Sequence, residues 1–494
     1  MKHDALWPIL KQAIRHPRRV AVIDDQRQWR YLDLVGGALH VAKLIKANSD
    51  RPHVGVMLPT SGAFAVAMLA TWLLRRTIVP INYLLSEAER QYVIDHSEID
   101  LLITAGPMLD FVEGQPRNVK LLKLDEQKFG KLPPLRLPPL NIRGDELAAL
   151  LYTSGTSGRP KGVMLTHRNI RADVFAAAEH AQLTQTNGFV GVLPQFHSFG
   201  LTALTVIPLT LGAQVIYTAR FVPSRLIKLI AKHKPDILMA IPSMYNALAN
   251  VKNAAPEDLA SIKLAISGAE PLPASVYEAF EAKFNLRILE GYGLTETSPV
   301  VAWSLPHRNR RGTVGPVFPG VDVRIVDPQN RPLDVGEEGE ITIAGPIVMA
   351  GYYKQPDLTE QVIDGEGYFH TGDMGRIDED GLLAVTGRIK EMLIVGGENV
   401  FPREIEEVLM AHPSIQSAGV VGKTDPSRGE VPIAFVEVVE GETFDEPALR
   451  TWCRERLAGY KVPREIHPVD ELPRSPTGKV LRRKLSDRVA EKQG

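Results

Sequence analysis

Short apolar runs alternate with longer helical patterns through much of the N-terminal part of the chain. Residues 54–58 (VGVML), 101–104 (LLIT) and 236–241 (DILMAI) have the length and apolar composition of buried strands, and residues 224–234 (SRLIKLIAKHK) have a helical pattern. Strand–helix alternation of this kind predicts layered α/β structure around parallel sheets. Ligands of such sheets bind where strands end, so the polar, glycine-containing turns after these strands indicate where a site lies.

The sequence pattern changes near residue 312. Beyond it, the short strand-like runs VDVRIVD, GEITIAG and LLAVTG lie next to tight turns and predict an all-β segment. After about residue 390, the helical patterns IEEVLMAHP and ALRTWCRERLAGY and the strand-like runs SAGVVGK and PIAFVEVV predict a smaller α+β region. The proline-containing stretches 136–146 and 473–485 are predicted to be a linker or edge loop and a basic loop, respectively. A chain of 494 residues is too long for one ordinary core, so two or three domains are expected.

Charge and cysteine content exclude several classes of protein. The formal net charge is −1, which gives no electrostatic reason to expect nucleic acid as the main partner. Cys453 is the only cysteine, which excludes an internal disulfide framework and a cysteine-rich metal site and is typical of a reducing compartment.

The N-terminus has no uninterrupted apolar segment of the kind that a secretory signal needs. The most apolar early run, residues 63–74 (AFAVAMLATWLL), is too short to cross a bilayer and predicts a helix buried within a domain. We therefore expect a soluble cytoplasmic protein without a transmembrane segment, and weak contact with a membrane surface stays open.

Residues 152–162 (YTSGTSGRPKG) form a flexible, polar stretch with one lysine, Lys161, near its end. Such a stretch has two interpretations: a surface loop rich in turn-forming residues, or a loop whose N–H groups and hydroxyls wrap a polyphosphate while the lysine adds positive charge. Lys161 is followed by Gly162 and the glycines are spaced differently from the Walker pattern, so a P-loop ATPase is disfavoured.

The stretch YTSGTSGRPKG resembles the phosphate-binding signature of the adenylate-forming (ANL) superfamily, which contains acyl-CoA synthetases, luciferases and peptide-synthetase adenylation domains. Further stretches resemble the other signatures of this superfamily, in family order and at family spacing: GYGLTE (291–296), YFHTGD (368–373), GRIKEMLIVGGENVFPREIE (387–406) and PRSPTGKVLRRKL (473–485). Because the resemblance covers nearly the whole chain, the chain is identified as a member of this AMP-binding superfamily.

The resemblance implies a fold and a reaction. The fold would be α/β, with a large N-terminal AMP-binding and acyl-substrate domain (1–389) of layered α/β subdomains plus a β-rich subdomain, and a small mobile α+β lid domain (390–494) that pivots at Lys390. The reaction would join a carboxylate to the α-phosphate of ATP, with Mg²⁺, release pyrophosphate, and then transfer the acyl group to the thiol of coenzyme A. Such chemistry depends on positioning and on stabilising charge on the phosphates rather than on a protein nucleophile.

The resemblance also implies roles for residues of the nucleotide site. The β- and γ-phosphates would be surrounded by Thr153, Ser154, Gly155, Thr156, Ser157 and Lys161. Thr295 would contact the α-phosphate, and Glu296 would hold Mg²⁺ through its oxygens; the alternative for Glu296 is a solvated surface carboxylate. The adenine would be flanked by Ser267, Gly268, Ala269, Glu290, Gly291 and Tyr292.

Further residues are assigned to the ribose, the acid and the thiol. Asp373 would accept hydrogen bonds from the ribose hydroxyls, assisted by Arg388. Lys479 would reach the α-phosphate and the carboxylate, where a cation offsets developing charge; without its PTG context it would be one solvated cation of a basic tail. In the second half-reaction the GGEN turn would face CoA through Gly396, Gly397 and Glu398. His197 would be a gate beside the substrate carboxylate. The alternative for His197 is a ring packed in the core.

GEN, followed by VFPREIE, resembles the CoA-ligase branch of the superfamily rather than the peptide-synthetase adenylation domains. FHSFGLT and LRILEGYGLTETSPVV resemble ligases of fatty acids, including those that charge acyl carrier protein. An apolar acyl pocket is expected, lined by residues that include Phe199, Met239, Ile241, Met244, Val300, Val301 and Trp303. We therefore expect a medium- to long-chain fatty acid as substrate. The alternatives are an acyl-[acyl-carrier-protein] synthetase that docks an acidic carrier through RNRR (308–311) or RRKL (482–485), a non-catalytic nucleotide-binding scaffold, and a luciferase-like oxygenase.

Overall fold

The computed structural model describes residues 4–130, 141–153, 159–426, 428–474 and 480–491. Strands up to residue 303 are β1 (Val20–Ile23), β2 (Gln28–Arg30), β3 (His53–Val56), β4 (Thr77–Pro80), β5 (Leu101–Thr104), β6 (Lys120–Lys123), β7 (Leu147–Thr153), β8 (Lys161–Thr166), β9 (Gly188–Gly191), β10 (Gln214–Tyr217), β11 (Ile237–Ala240), β12 (Leu264–Ser267), β13 (Ile288–Gly293) and β14 (Val300–Trp303). The helices of the same part are α1 (Leu6–Arg15), α2 (Tyr31–Asn48), α3 (Gly62–Leu73), α4 (Glu87–His96), α5 (Gly106–Phe111), α6 (His167–His180), α7 (Ile207–Leu211), α8 (Pro223–His233), α9 (Pro242–Ala249) and α10 (Ala274–Phe284).

The rest of the chain is richer in strands. It contains β15 (Gly315–Pro316), β16 (Asp322–Val326), β17 (Gly339–Ala344), β18 (Gly351–Tyr352), α11 (Pro356–Val362), β19 (Phe369–Ile377), β20 (Leu382–Arg388), β21 (Leu393–Val395), β22 (Glu398–Val400), α12 (Pro402–Met410), β23 (Ile415–Asp425), β24 (Gly429–Val438), α13 (Glu446–Arg454), β25 (Glu465–Pro468) and α14 (Arg482–Glu491). A π-helix covers Phe199–Val206, and 3₁₀ turns cover Pro256–Leu259, Thr295–Thr297 and Ile389–Glu391.

Two large sheets form the body of the molecule. One has the strand order β14-β13-β12-β11-β9-β10-β1-β2, and the other has the order β18-β8-β7-β4-β3-β5-β6. Their central strands pair in parallel, while β2, β14, β8 and β18 pair antiparallel at the edges. Because parallel neighbours end at the same edge of a sheet, the turns after β12 and β13 lie side by side.

The smaller sheets are mostly antiparallel. The order β15-β20-β19-β17-β16 makes an entirely antiparallel sheet, and the last sheet has the order β22-β21-β24-β23 with β25 added parallel to β24. The predicted α/β architecture, with a large N-terminal part and a smaller α+β C-terminal part, is confirmed.

Buried side chains form separate cores on the two sides of residue 390. The cores of the body extend no further along the chain than Val385, whereas those of the C-terminal part begin at Leu393. Each part therefore buries its own apolar surface, as a separate domain does. The exact domain boundary and the hinge at Lys390 remain predictions.

Most predicted elements are present, with shifts of a few residues at their ends. The buried helix predicted at 63–74 is α3, in which eleven of twelve residues are buried. Two predictions were wrong in detail: α11 interrupts the predicted all-β segment, and the end of the predicted basic loop 473–485 is helical, since α14 begins at Arg482. Of the predicted linker 136–146, residues 136–140 lie outside the described part, and the remainder leads into β7.

Within the ranges that the structure describes, the longest and most apolar helices still fall short of what is needed to cross a membrane.

Candidate active site

A hairpin carries the predicted phosphate-binding loop. Thr153 ends β7 and Lys161 begins β8, and the two residues are antiparallel partners in the sheet register. Ser154, Gly155, Thr156 and Ser157 lie outside the described residues. The pKa of Lys161 is lowered, first by burial and then by the nearby charge of Lys390, while Glu296 opposes the shift. A partly desolvated ammonium group between another cation and a carboxylate is suited to bind phosphate oxygens.

Thr295 and Glu296 lie in a 3₁₀ turn between β13 and β14. Several hydrogen bonds fix this turn: Met349 N donates to the Glu296 carbonyl over 2.8 Å, Ser298 Oγ donates to the Ile347 carbonyl over 2.7 Å, and Tyr352 Oη donates to Glu296 Oε1 over 2.8 Å. The turn is thereby attached to the segment that enters β18. Thr295 Oγ1 lies 3.2 Å from the Oγ of Ser198, which connects the turn to the motif PQFHSFG.

The donor set near Glu296 can be compared with what Mg²⁺ requires. The described residues contain no group of three or more His, Cys, Asp or Glu side chains that would hold a metal ion alone. Mg²⁺ is commonly held by one or two carboxylates, with water and substrate phosphates completing its octahedron. A single carboxylate beside Lys161 fits that mode, and Glu296 is the residue that would provide it.

The segments predicted to flank adenine are adjacent in space. Ser267, at the end of β12, pairs in parallel with Glu290 of β13, so Gly268 and Ala269 follow directly beside Gly291 and Tyr292. A Cβ on Gly268 would lie 3.1 Å from the Phe199 ring and 3.5 Å from the Gly291 carbonyl oxygen, so the backbone is packed closely there.

Ala269 has a left-handed backbone conformation, with φ of 70°. An L-residue without special side-chain chemistry seldom adopts this conformation, and such strain is concentrated at functional sites. Ala269 lines a cleft of about 590 Å³ that also includes Glu290, Gly291, Tyr292 and Asp373. The strained residue therefore lies at the wall of the predicted nucleotide site.

Glu290 is largely buried. Burial raises its pKa to about 7, although the charge of Arg403 in the C-terminal part acts in the opposite direction. Its carboxylate is thus partly protonated near neutral pH. The structure places it in the cleft wall, so its ionisation state depends on how the C-terminal part is docked.

Asp373 and Arg388 are cross-strand partners on β19 and β20. Arg388 Nε donates to Asp373 Oδ1 over 2.7 Å, and Tyr292 Oη donates to Asp373 Oδ2 over 2.8 Å. Only 3% of the Asp373 surface is exposed. Both carboxylate oxygens are oriented by neighbouring donors, and each oxygen keeps the capacity for a further hydrogen bond, as two ribose hydroxyls require.

His197 lies in the turn before the π-helix. Its Nε2 is buried and makes no hydrogen bond within the described part of the chain, its ring centroid is 4.6 Å from that of Phe196, and burial lowers its pKa to about 4. The imidazole is therefore neutral at physiological pH. A buried nitrogen without a partner is costly for a structural residue and is consistent with a ligand-facing role.

The residues assigned to the predicted lid lie in different places. Lys390 is exposed in the 3₁₀ turn at 389–391, and Gly396, Gly397 and Glu398 are exposed at the turn between β21 and β22, away from the cleft lining. Lys479 lies outside the described residues. Its described neighbours Arg474 and Val480 are paired by a β-bridge, and both line the cleft.

The apolar residues predicted for the acyl pocket divide into two groups. Met239, Val300, Val301 and Trp303 are buried in the cores, with exposures of 6% or less, whereas Phe199, Ile241 and Met244 are only partly buried. None of these seven residues lines the cleft that contains Asp373. The acyl pocket therefore stays a prediction.

The two basic runs considered for carrier docking are partly neutralised. Arg310 forms ion pairs with Asp378 and Asp380, and Arg311 pairs with Glu278 at 3.0 Å. In the second run, Arg482 is bound by two carboxylates, which leaves Arg483 and Lys484 as its exposed cations.

Tyr352 and Arg403 were not predicted as site residues. Tyr352 contacts both Glu296 and Lys161, whereas Arg403 joins the two parts of the molecule, with Nη1 donating to the Val385 carbonyl over 2.7 Å. Tyr352 belongs to none of the motifs used, and Arg403 lies inside one of them without an assigned role. Only the arrangement of strands brings either side chain to the site.

Known protein families and relatives match most of the chain. The family model of the AMP-binding enzyme matches residues 9–353, and that of the AMP-binding enzyme C-terminal domain matches residues 404–479. The chain is 32% identical to a long-chain-fatty-acid–CoA ligase of Bacillus subtilis (strain 168), covering 97% of this chain and 93% of the relative. It is 30% identical to a feruloyl-CoA synthase of Amycolatopsis sp, covering 96% and 97%.

A solved structure has the same architecture. The o-succinylbenzoate coenzyme A synthetase (MenE) of Bacillus subtilis, in complex with ATP and magnesium ion, has a TM-score of 0.87 at 28% identity and covers 97% of this chain and 99% of that chain. The chain therefore belongs to the AMP-binding enzyme family. Its predicted membership of the adenylate-forming superfamily is confirmed.

Proposed function

We propose that this chain is an AMP-forming acyl-CoA ligase that activates a medium- to long-chain fatty acid. In the first half-reaction the acid carboxylate attacks the α-phosphate of ATP, so that acyl-AMP forms and pyrophosphate leaves. In the second, the thiol of CoA attacks the acyl carbon, so that the thioester forms and AMP leaves. ATP, Mg²⁺ and CoA are the cofactor and co-substrates of this chemistry, and their use supports a cytoplasmic location.

The observation that carries the proposal is the oriented Asp373 carboxylate at the wall of the cleft. Arg388 and Tyr292 hold its two oxygens over 2.7 and 2.8 Å, and Ala269 and Gly291 line the same cleft. A ribose bound there places its adenine against the ends of β12 and β13. The α-phosphate would then lie toward Thr295, and the outer phosphates toward Lys161.

The residues contribute chiefly by positioning and by charge. Lys161 supplies positive charge to the departing pyrophosphate, and its lowered pKa reflects a site already partly removed from water. Bound Mg²⁺ would supply further compensation for phosphate charge, held by Glu296. Lys479 supplies a cation where the carboxylate attacks the α-phosphate. Its positive charge reduces the repulsion between these two anionic groups.

His197 is suited to contact the substrate acid without competing for protons. Because burial lowers its pKa to about 4, the imidazole is neutral and donates or accepts one hydrogen bond without adding charge. The acid must attack as a carboxylate, and a neutral neighbour leaves it deprotonated.

Aromatic side chains next to His197 support the choice of an acyl chain as substrate. The ring of Phe196 lies 4.8 Å from that of Tyr83, which in turn lies 6.0 Å from the partly exposed ring of Phe111. Such a row offers an alkyl chain continuous apolar contact. The likeness to a long-chain-fatty-acid–CoA ligase also supports a fatty acid, while the likeness to a feruloyl-CoA synthase makes an aromatic acid the alternative outcome of the test.

The test is a panel of acids assayed by pyrophosphate release. Straight-chain acids from acetate to stearate are compared with benzoate and ferulate, each with CoA and with a holo acyl carrier protein as competing acceptors. The expected result is that kcat/KM is highest for an acid with a medium or long alkyl chain and that CoA is the acceptor. A preference for ferulate would overturn the assignment of a fatty acid as substrate. Preferred transfer to the carrier protein would overturn the assignment of CoA as the acceptor. If no acid in the panel gave acyl-AMP, the proposed ligase activity itself would be overturned.

A further inference from the structure

We propose that Tyr352 is a positioning residue that holds Glu296 for Mg²⁺ and seats Lys161 for the phosphates, and so couples the two charges of the phosphate site. The inference rests on the proposed function for the identity of the ligands. It depends on one side chain with two contacts to opposite charges.

The first contact is a hydrogen bond to the carboxylate. Tyr352 Oη donates to Glu296 Oε1 over 2.8 Å. Only 6% of Tyr352 is exposed, so little water competes with Glu296 for its hydroxyl. A hydrogen bond to a charged acceptor in such surroundings is stronger than an ordinary one and fixes the direction of the carboxylate.

The second contact is with the cation. Lys161 Nζ lies 5.2 Å from the centroid of the Tyr352 ring, within the range of a cation–π interaction. The ring face attracts the ammonium group without neutralising it. Lys161 therefore stays available to phosphate oxygens, whereas a direct ion pair with Glu296 would consume both charges.

The backbone explains why Tyr352 can hold a fixed position. Tyr352 pairs with Val163 of β8, two residues after Lys161, and its N–H donates to Thr359 Oγ1 of α11 over 2.9 Å. Gly351 before it has a φ of 134°, and a Cβ there would lie 2.8 Å from Thr359. The strand that carries Lys161 and the helix after β18 thus fix the residue from both sides.

The chain offers a matched control in the next residue. Tyr353 also has a hydrogen-bonded hydroxyl, which donates to Glu98 Oε2 over 2.7 Å and not to a residue of the site. Replacement by phenylalanine removes the same atom at either position. The Tyr352→Phe variant retains the ring, and with it the packing and the contact with Lys161.

The experiment measures equilibrium binding of ATP as a function of Mg²⁺, alongside ATP–pyrophosphate exchange. Tyr352→Phe is expected to raise the Mg²⁺ concentration for half-maximal effect by about tenfold, with ATP affinity in the absence of Mg²⁺ unchanged. Tyr352→Leu is expected also to weaken ATP binding without Mg²⁺ by about threefold, because the ring below Lys161 is lost. Tyr353→Phe is expected to behave as wild type.

An unchanged Mg²⁺ dependence in Tyr352→Phe, with thermal unfolding like that of wild type, would overturn the proposal. Equal effects of Tyr352→Phe and Tyr353→Phe would also overturn it. The binding assay keeps this outcome separate from the proposed function, since ATP and Mg²⁺ binding is measured even if no acid is activated.

Discussion

The two sides of the nucleotide cleft are built differently. On the body side, Asp373 and Glu296 are each oriented by neighbouring donors within the same domain, over 2.7 to 2.8 Å. On the lid side, α12 approaches β20 through the bond from Arg403 to the Val385 carbonyl and through the Phe401 ring beside Gly387. We propose that the body side is the fixed one, and that the contacts of the C-terminal part break and form again when the predicted lid rotates.

Lys479 provides the strongest way to break this comparison, because we predict that it belongs to the lid and acts on a substrate bound to the body. Lys479→Ala is expected to slow acyl-AMP formation on the order of 100-fold, since a cation at the reacting phosphate is lost, and to spare thioester formation from supplied acyl-AMP. Single-turnover assays of each half-reaction check this. Lys484→Ala, which removes an exposed cation of α14, is the control.

The outcome that would contradict the division of labour is an equal loss in both half-reactions. The body variant Asp373→Ala sharpens the contrast, because it should weaken ATP binding itself. A lid variant with the ATP-binding defect of the body variant would show that the two sides do not act separately.

Glu290 tests how far the lid influences the body. Its pKa is raised from the ordinary 4.5 to about 7, so the stability that its neutral form contributes is present below pH 4.5 and is lost as pH rises through about 7. As pH rises from 4.5 to about 7, the free energy of unfolding of Glu290→Gln is expected to increase relative to that of wild type, by about 3 kcal/mol at most. Thermal unfolding of both proteins across the interval measures the change.

A matched control for this titration is Glu278→Gln. Glu278 forms an exposed ion pair with Arg311, and its side chain is 65% exposed. The pH dependence of the stability of Glu290→Gln is therefore compared with that of Glu278→Gln. If both variants followed the same pH dependence, burial of the Glu290 carboxylate would not be the cause of the change.

Arg403 offers the smallest expected effect. Arg403→Ala removes the hydrogen bond to the Val385 carbonyl. We expect acyl-AMP formation to slow by about fivefold and the thioester step to be unchanged, because the loss of one such bond shifts the equilibrium of the predicted lid only modestly. The two half-reactions, measured separately, check this. Arg454→Ala on the exposed side of α13 should change neither step, and slowing of the thioester step alone in Arg403→Ala would contradict the proposed orientation.

Sequence patterns predicted most of the body, for a physical reason. Strands such as β5 and β11 are short apolar runs between polar turns, and burial on both faces leaves little other choice. The start of α14 at Arg482 was missed, since its basic residues resemble a solvated loop until their partners are known. Those partners are Glu391 and Glu406, each 2.7 Å from the Arg482 guanidinium and distant in the chain.

The site shows the same limit. Motifs predicted Asp373, Glu296 and Lys161, because phosphate, Mg²⁺ and ribose restrict which residue types can bind them. Tyr352 and Arg403 act through contacts between segments far apart in the chain, and no local pattern encodes such contacts. The acyl pocket stays a prediction, because pocket linings and buried cores select the same apolar side chains and the sequence does not distinguish the two.

The pairing of Thr153 with Lys161 has a consequence for how this protein can lose function. Neighbouring residues of a strand face opposite sides of the sheet, so a slip of β8 by one residue would turn the Lys161 side chain to the other face. A single deletion between Gly162 and the start of α6 could thus leave every letter of YTSGTSGRPKG intact and still abolish nucleotide binding. Among divergent copies of this chain, an intact motif is therefore weaker evidence of activity than an unchanged number of residues between the motif and α6.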